Sequence, residues 1–532
     1  MSPETMPESR TVLRGGTIVD GAGSEPRVAD LAIRGNTIEA VGTIVAEPTD
    51  TVIDVSGRYL LPGFIDAHSH ADAAVFSAEV QRGLLRQGVT TVIVGQDGVS
   101  YAPGDGGYAS EYFAALNGPH PSYTGGGVAA LLASYDEATP VNVGYLVPAG
   151  TVRHEVRGYT GGPSTPAEIA TMSALVAQGL DDGALGLSTG LDYVPNILAD
   201  TDELIALCRS VAAAGAIYVT HMRGGYEEKS RIGIEEVDEI ARATGVSVHV
   251  SHYHGPSDLL IGLAGELSSH GIDMTFDAYP YRRGCSLLAM PILPPALLSG
   301  PRAELVATLS DPAVRANLLD EWFTTFADNP LLGPEWADNL TFAHIAAGEY
   351  AWAHGRTISA AAAQVERDPA SFALDVLVAS SLEVSTIMTV RNQRSYDELA
   401  ELFTHPSHVA GSDGIYVGAH PHPRAWGTFA KFLRLFMRER GDFSWPEVAV
   451  HFAGRAAERF GLSDRGRLWP GYVADVVVVD PTIVGDISTY DAPRADAVGI
   501  DDVFVAGQQV LADGRLTGVL SGRGLRRSAP VK

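Results

Sequence analysis

The sequence predicts an α/β fold: a (β/α)8 barrel of the TIM type, a small β-sandwich domain formed by both chain ends, and a subdomain inserted between barrel strands 7 and 8. Three observations predict it. Eight short apolar runs alternate with helical stretches through the middle of the chain, glycine-punctuated alternating segments occupy both ends, and the chemically able residues fall at the same ends of the apolar runs. The length of 532 residues, with 45% hydrophobic and 19% charged, accommodates one large barrel plus a smaller domain. Acids outnumber bases 64 to 37, leaving a net charge of −27, a field that repels phosphate backbones and anionic lipid headgroups. This argues against a nucleic-acid partner and against a membrane surface. The only cysteines, Cys208 and Cys285, are too few for a disulfide framework or a thiolate zinc cluster and suit a reducing compartment. The opening MSPETMPESR has no apolar signal core, and no stretch reaches about 18 uncharged apolar residues, so a cytoplasmic protein is expected. The sequence leaves open whether it forms a homo-oligomer.

The elements follow in order. Residues 11–60 (TVLRGGTIVDG, DLAIRGNTIEAVG, TVIDVSGRYL) read as short strands, and the texture returns in GYVADVVVVDP, DDVFVAGQQVLADG and RLTGVL. Neither half covers its own sheet face alone, so residues 10–58 and 467–525 are expected to share one domain. Residues 59–466 form the barrel, with strands at LPGFIDAH, VTTVIVG, VNVGYLV, GALGLST, AIYVTH, VSVHVSH, DMTFDAYPY and HVAGSD. PAEIATMSALVAQGL and TDELIALCRSVAAAG carry apolar residues at three and four spacing and belong to the outer ring, the second with Thr201 as N-cap and Gly215 closing it. The stretch between the seventh and eighth runs is far longer than a crossover helix requires, so 282–407 is expected to be an inserted helical subdomain over the barrel mouth.

His68 and His70 end the first run, and residues two apart on a strand face the same way. His221 ends the fifth run and His252 the sixth, one strand–helix–strand unit apart, while Asp97 ends the second and Asp413 the eighth. A lone strand-end histidine is more often a hydrogen-bonded structural residue than a ligand. Four at the same end of barrel strands, with two acids, reverse that reading. Imidazoles and carboxylates point to Zn²⁺, and the same set accepts Mn²⁺, Fe²⁺ or Co²⁺. Such an ion acidifies a bound water and polarises a carbonyl, so hydrolysis is the natural chemistry, with Asp413 as the group that moves the proton. His249, three before His252, faces the other way and reads as structural. His120, His154, His344, His354, His405, His408 and His451 show no such geometry, and Cys285 reads as a loop thiol.

LLPGFIDAHSHAD together with GYVADVVVVDP resembles the amidohydrolase superfamily. In order along residues 12–527, GVTTVIVGQDG, GALGLSTGLDYVP, YVTHMR, VHVSHYHG, DAYPY, GSDG and HPHPRAWGTF are similar to the motifs of its N-acyl-D-amino-acid deacylase (D-aminoacylase) group. The resemblance implies a site with one tightly held zinc and a weaker second position, carried here by His68, His70, Asp97, His221, His252 and Asp413. Asp97 departs from the group, which has a cysteine there. The resemblance also implies that Tyr193 acts near the reacting carbonyl and that Arg424, Tyr281 and His254 contact substrate, His254 replacing a lysine of the group. Dihydroorotases and hydantoinases share the first histidine pair but bridge two metals through a carboxylated lysine after strand four. This chain's lysines are Lys229, Lys431 and Lys532, and the strand-four segment reads LSTGLDY, so that bridged site is excluded. The expected function is deacylation of an N-acyl-D-amino acid. The alternatives are hydrolysis of another linear amide, such as a dipeptide or N-carbamoyl compound, and a non-catalytic scaffold of the same fold, against which the retained histidines speak.

Overall fold

The computed structural model describes residues 10–527 apart from residue 225. The polar first nine residues and Lys532, used above, lie outside the described residues. Eight parallel strands occupy the eight runs: β1 Phe64–Asp66, β2 Val89–Val94, β3 Asn142–Pro148, β4 Gly186–Gly190, β5 Ile217–His221, β6 Ser247–Val250, β7 Met274–Ala278 and β8 His408–Ala410. They follow one another around the sheet. The ring closes where Ala67 N–H donates to Ala410 O (3.1 Å), Asp413 N–H to His68 O (2.8 Å) and His70 N–H to Gly414 O (3.0 Å). Every residue of β2 and β3 is buried, as parallel strands covered by helices on one face and by a packed barrel interior on the other require.

The helix Pro166–Asp181 begins in a capping box between Thr165 and Glu168, with proline in its first turn. The helix Thr201–Ala213 forms as expected, but its N-cap is Asp200 rather than Thr201. The Asp200 carboxylate, one residue earlier, accepts from Glu203 N–H at 2.9 Å, and Thr201 is already helical.

The chain ends build the β-sandwich domain around Leu13, Ile33, Leu60, Val476 and Phe504, and its two halves meet where Val476–Val479 runs antiparallel to Tyr59–Pro62. Tyr59–Pro62, expected to open the barrel, therefore belongs to this sheet. Gly63 makes the switch, since a Cβ there would collide with the Thr90 side chain. Gly524–Leu525, expected in the end domain, instead pairs with Val143 and Gly144 of β3, below the point where β4 begins pairing at Leu146.

The segment 282–407, expected to be helical, also contains a three-stranded antiparallel sheet of Arg283–Leu287, Val384–Thr389 and Leu340–Ile345. Its helices and this sheet enclose a separate apolar cluster including Phe326, Trp336, Phe342 and Phe372. Strands paired across 39 to 106 residues leave little trace in a local window, which is why helix dominated the expectation. Cys285, expected in a loop, lies on the first of these strands. Among the described residues, no helix is long and apolar enough to cross a membrane.

Candidate active site

The six predicted donors converge at the C-terminal end of the barrel. His221 is the last residue of β5, while the others lie two to four residues beyond their strands: His68 and His70 after β1, Asp97 after β2, His252 after β6 and Asp413 after β8. Asp97, His252 and Asp413 have φ of 56°, 33° and 49°. A non-glycine residue in this region costs on the order of 1 kcal/mol or more and persists only where its surroundings over-determine it. Here they do. The Asp97 turn is held by Gln96 Nε2 donating to Ala67 O (2.9 Å) and by Gly98 N–H donating to Ser188 Oγ (3.2 Å). Gly190, at the end of β4, leaves the space that the Asp97 carbonyl fills.

The donors form two trios sharing Asp97: His68, His70 and Asp97, then Asp97, His221 and His252. Asp97 Oδ1 lies 3.7 Å from His68 Nε2, 3.6 Å from His252 Nε2 and 4.0 Å from His221 Nδ1, and Oδ2 lies 3.6 Å from His70 Nε2. Asp413 Oδ1 is 3.8 Å from His68 Nε2 and 3.5 Å from His70 Nε2. These separations exceed a hydrogen bond but approach the ~3.3 Å between two ligands that each sit about 2.0 Å from a tetrahedral cation. His68 Nε2 and Asp97 Oδ1 are buried and have no hydrogen-bond partner among the described residues. Four imidazoles, two carboxylates and orphaned atoms facing one another fit a divalent cation of the Zn²⁺ class.

Three of the four outward nitrogens are partnered, as metal-binding imidazoles commonly are. His68 Nδ1 meets Asp277 Oδ2 at 3.3 Å, His70 Nδ1 meets Asn117 Oδ1 at 3.0 Å, and His221 Nε2 meets Asp192 Oδ2 at 3.1 Å. Asp277, Asn117 and Asp192 escaped the sequence reading. Asp277 and Asp192 had a legible signal, an acid at a strand end or in the loop beyond it, whereas Asn117 had none. Burial alone would depress His70, but Asp413 and Asp97 overcome it and lift the imidazole to about 10. Burial alone would raise Asp97, yet His252 and His70 hold it well below the usual carboxylate range.

Above the donors lies a cavity of about 930 Å³, walled by barrel-end residues and by the inserted subdomain through Arg283, Cys285, Met290 and Met388. Tyr193, Tyr281 and His254 line it. Burial, then the charges of Asp97 and Asp413, push the Tyr193 phenol well above its ordinary value, so it remains a hydrogen-bond donor. His254 stacks on Tyr226 at 4.6 Å, and burial followed by Arg394 lowers it to about 4, so it is neutral at pH 7. Arg424 is buried beneath the wall rather than on it. Its Nη1 lies 2.9 Å from Asp413 Oδ2, Tyr279 stacks against it at 4.7 Å, and its Nε and Nη2 have no hydrogen-bond partner among the described residues.

Residues 51–511 match the pattern of the Amidohydrolase family. The chain is 32% identical to a D-aminoacylase of Alcaligenes xylosoxydans xylosoxydans, covering 97% of this chain and 98% of that protein. It is 34% identical to an N-acyl-D-aspartate deacylase of the same organism, covering 95% and 93%. A crystal structure of an N-acyl-D-glutamate deacylase from Bordetella bronchiseptica, complexed with zinc and a phosphonate mimic of the tetrahedral intermediate, superposes with a TM-score of 0.80 at 29% identity over 98% of this chain and 100% of that one. With its two donor trios at the mouth of an eight-stranded barrel, the chain belongs to the amidohydrolase family and, within it, to the N-acyl-D-amino-acid deacylase group.

Proposed function

We propose that the protein hydrolyses the amide bond of N-acyl-D-amino acids, releasing a carboxylate and a D-amino acid. The observation that carries this reading is the shared-carboxylate donor set with Asp413 beside it on the cavity floor. A divalent cation held by His68, His70, Asp97, His221, His252 and Asp413 supplies an acidified water and a Lewis acid for the carbonyl. Asp413 handles the proton. Burial would raise its pKa, but the Arg424 guanidinium and the nearby imidazoles keep it low and charged. As water adds to the amide carbon, Asp413 Oδ1 takes its proton, then delivers it to the nitrogen as the C–N bond breaks. The Tyr193 hydroxyl donates to the oxyanion that develops on the carbonyl oxygen. Arg424, beneath the wall, acts through Asp413 by holding its Oδ2 at 2.9 Å, while neutral His254 and Tyr281 shape the wall around the substrate.

The neutrality of His254 favours one second reading, another linear amide with less anionic character, such as a dipeptide or N-carbamoyl compound. Hydrolysis rates for N-acetyl-D-amino acids, their L isomers and their carboxamides separate the two. The first reading expects the D acids to be cleaved fastest; equal rates for acids and carboxamides overturn it. Zn²⁺ as the resident ion, with one position tighter than the other, belongs to the same proposal and is read by metal analysis of the purified protein. So does a cytoplasmic location, which the free thiols of Cys208 and Cys285 suit.

A further inference from the structure

Asp277, on the inner face of β7, is completely buried and touches both donor trios. Its Oδ1 accepts from the backbone N–H of His252 at 2.9 Å, while Oδ2 lies 3.3 Å from His68 Nδ1 and 3.0 Å from His249 Nε2. Behind it, Thr275 Oγ1 lies 2.8 Å from His249 Nδ1 and 2.7 Å from Arg459 Nε. The ionised Asp277 carboxylate only accepts, so the neutral His249 carries its proton on Nε2 and leaves Nδ1 as a lone pair. Thr275 Oγ1 accepts from Arg459 on one lone pair and donates its hydrogen to that Nδ1. Burial, the largest influence on the His249 imidazole, keeps it neutral. An ionised carboxylate only accepts, so the His68 proton sits on Nδ1 and its Nε2 lone pair faces Asp97 and Asp413. Arg459 is itself fixed, donating to Val248 O (3.0 Å) and Asp273 O (2.9 Å) and pairing with the Asp273 carboxylate.

We propose that Arg459, Thr275, His249 and Asp277 form a tautomer lock on the cation site. They are positioning residues that hold His68 with a bare Nε2 toward the ion and pin the left-handed backbone of His252. The sequence reading left His249 as structural; the relay gives it a part in ion binding. The proposal deepens the hydrolase reading and shares its cation, but does not depend on its substrate.

The test uses full-length protein stripped of metal and titrated with Co²⁺, following the dissociation constant and the visible absorption of the bound ion. Thr275→Val keeps the side-chain shape and removes the hydroxyl, so the His249 Nδ1 lone pair loses its donor and the ring loses the contact that holds Nε2 on Asp277. It should weaken Co²⁺ binding by about ten- to a hundredfold and change the visible spectrum while circular dichroism stays native. Thr275→Ser should bind as wild type, and Arg459→Met should fall between. Packing alone predicts a lower melting temperature with unchanged ion affinity. A folded Thr275→Val protein that binds Co²⁺ as tightly as wild type overturns the lock, as does a Thr275→Ser protein as weak as Thr275→Val. Should Thr275→Val not fold, unchanged binding by Arg459→Met overturns it instead. A wild-type protein that takes up no Co²⁺ sinks both the lock and the hydrolase reading. One that follows the expected order but leaves N-acyl-D-amino acids intact sinks only the proposed activity.

Discussion

Asp413 shows how a single side chain is assigned two tasks by its two oxygens. Oδ1 faces His68 and His70, while Oδ2 is held by Arg424, which keeps the group charged and fixes its angle. The other five donors remain when it is neutralised, so Asp413→Asn should retain metal, read by atomic emission, while turnover of an N-acetyl-D-amino acid falls by about 10²- to 10⁴-fold. A variant that keeps both metal and full activity removes Asp413 from the proton path. The two oxygens of Asp97 diverge as well, and no cysteine joins the donors, because Cys208 is buried behind the barrel and Cys285 lies across the cavity on the inserted sheet. A donor set without sulfur is harder, which widens the range of ions it accepts.

At the scale of elements, a helix cap and a buried histidine pair make separate contributions to stability. Asp200 satisfies an orphan N–H at the start of the helix Thr201–Ala213, so Asp200→Ala should cost about 1 kcal/mol in a denaturant titration, whereas Thr201→Ala should cost less. His408 at the start of β8 and His451 on the helix behind it face each other, Nδ1 to Nδ1, at 3.2 Å among Phe403, Phe432 and Phe443. Burial lowers His408 to about 3 and His451 to about 2, so both stay neutral in the folded protein while the unfolded chain protonates them near 6.5. The unfolded state therefore binds more protons below that value, and the stability these groups contribute is complete above pH 6.5 and is lost as pH falls toward 3. His451→Leu should flatten the dependence of unfolding free energy between pH 4 and 6 by at most about 1.4 kcal/mol per pH unit. Parallel curves for the two proteins would mean that His451 is already charged in the fold.

Across the whole molecule, two units wall the cavity and a third braces them. The barrel supplies the donors, the inserted subdomain supplies the opposite wall, and Tyr490 backs that wall, its ring 4.3 Å from the Arg283 guanidinium and its hydroxyl 3.3 Å from His422 Nε2. His422 in turn accepts from the Arg424 backbone N–H at 3.0 Å. The donors are assembled only in the native fold, so an ion bound there stabilises it by mass action. Chelation should lower the melting temperature and added Zn²⁺ should restore it, followed by calorimetry at fixed pH. No change on chelation would mean that the trios hold no ion under those conditions.

The eight barrel runs and the six donors were legible in the sequence because both depend on local pattern. A buried parallel strand is an apolar run, and the barrel places the residues at and just beyond its strand ends around one axis. The pairings across long separations were not legible: the sheet inside 282–407, the switch of Tyr59–Pro62 at Gly63, and Gly524–Leu525 seated on β3. Nor was the second layer of the site. His249 and Asp277 are 28 residues apart, Thr275 and Arg459 are 184 apart, and which hydrogen each carries is decided by contacts that exist only once the chain has closed. Local pattern therefore determined which six side chains gather at the barrel mouth, and tertiary packing alone decided which of their nitrogens turn toward one another and which toward second partners.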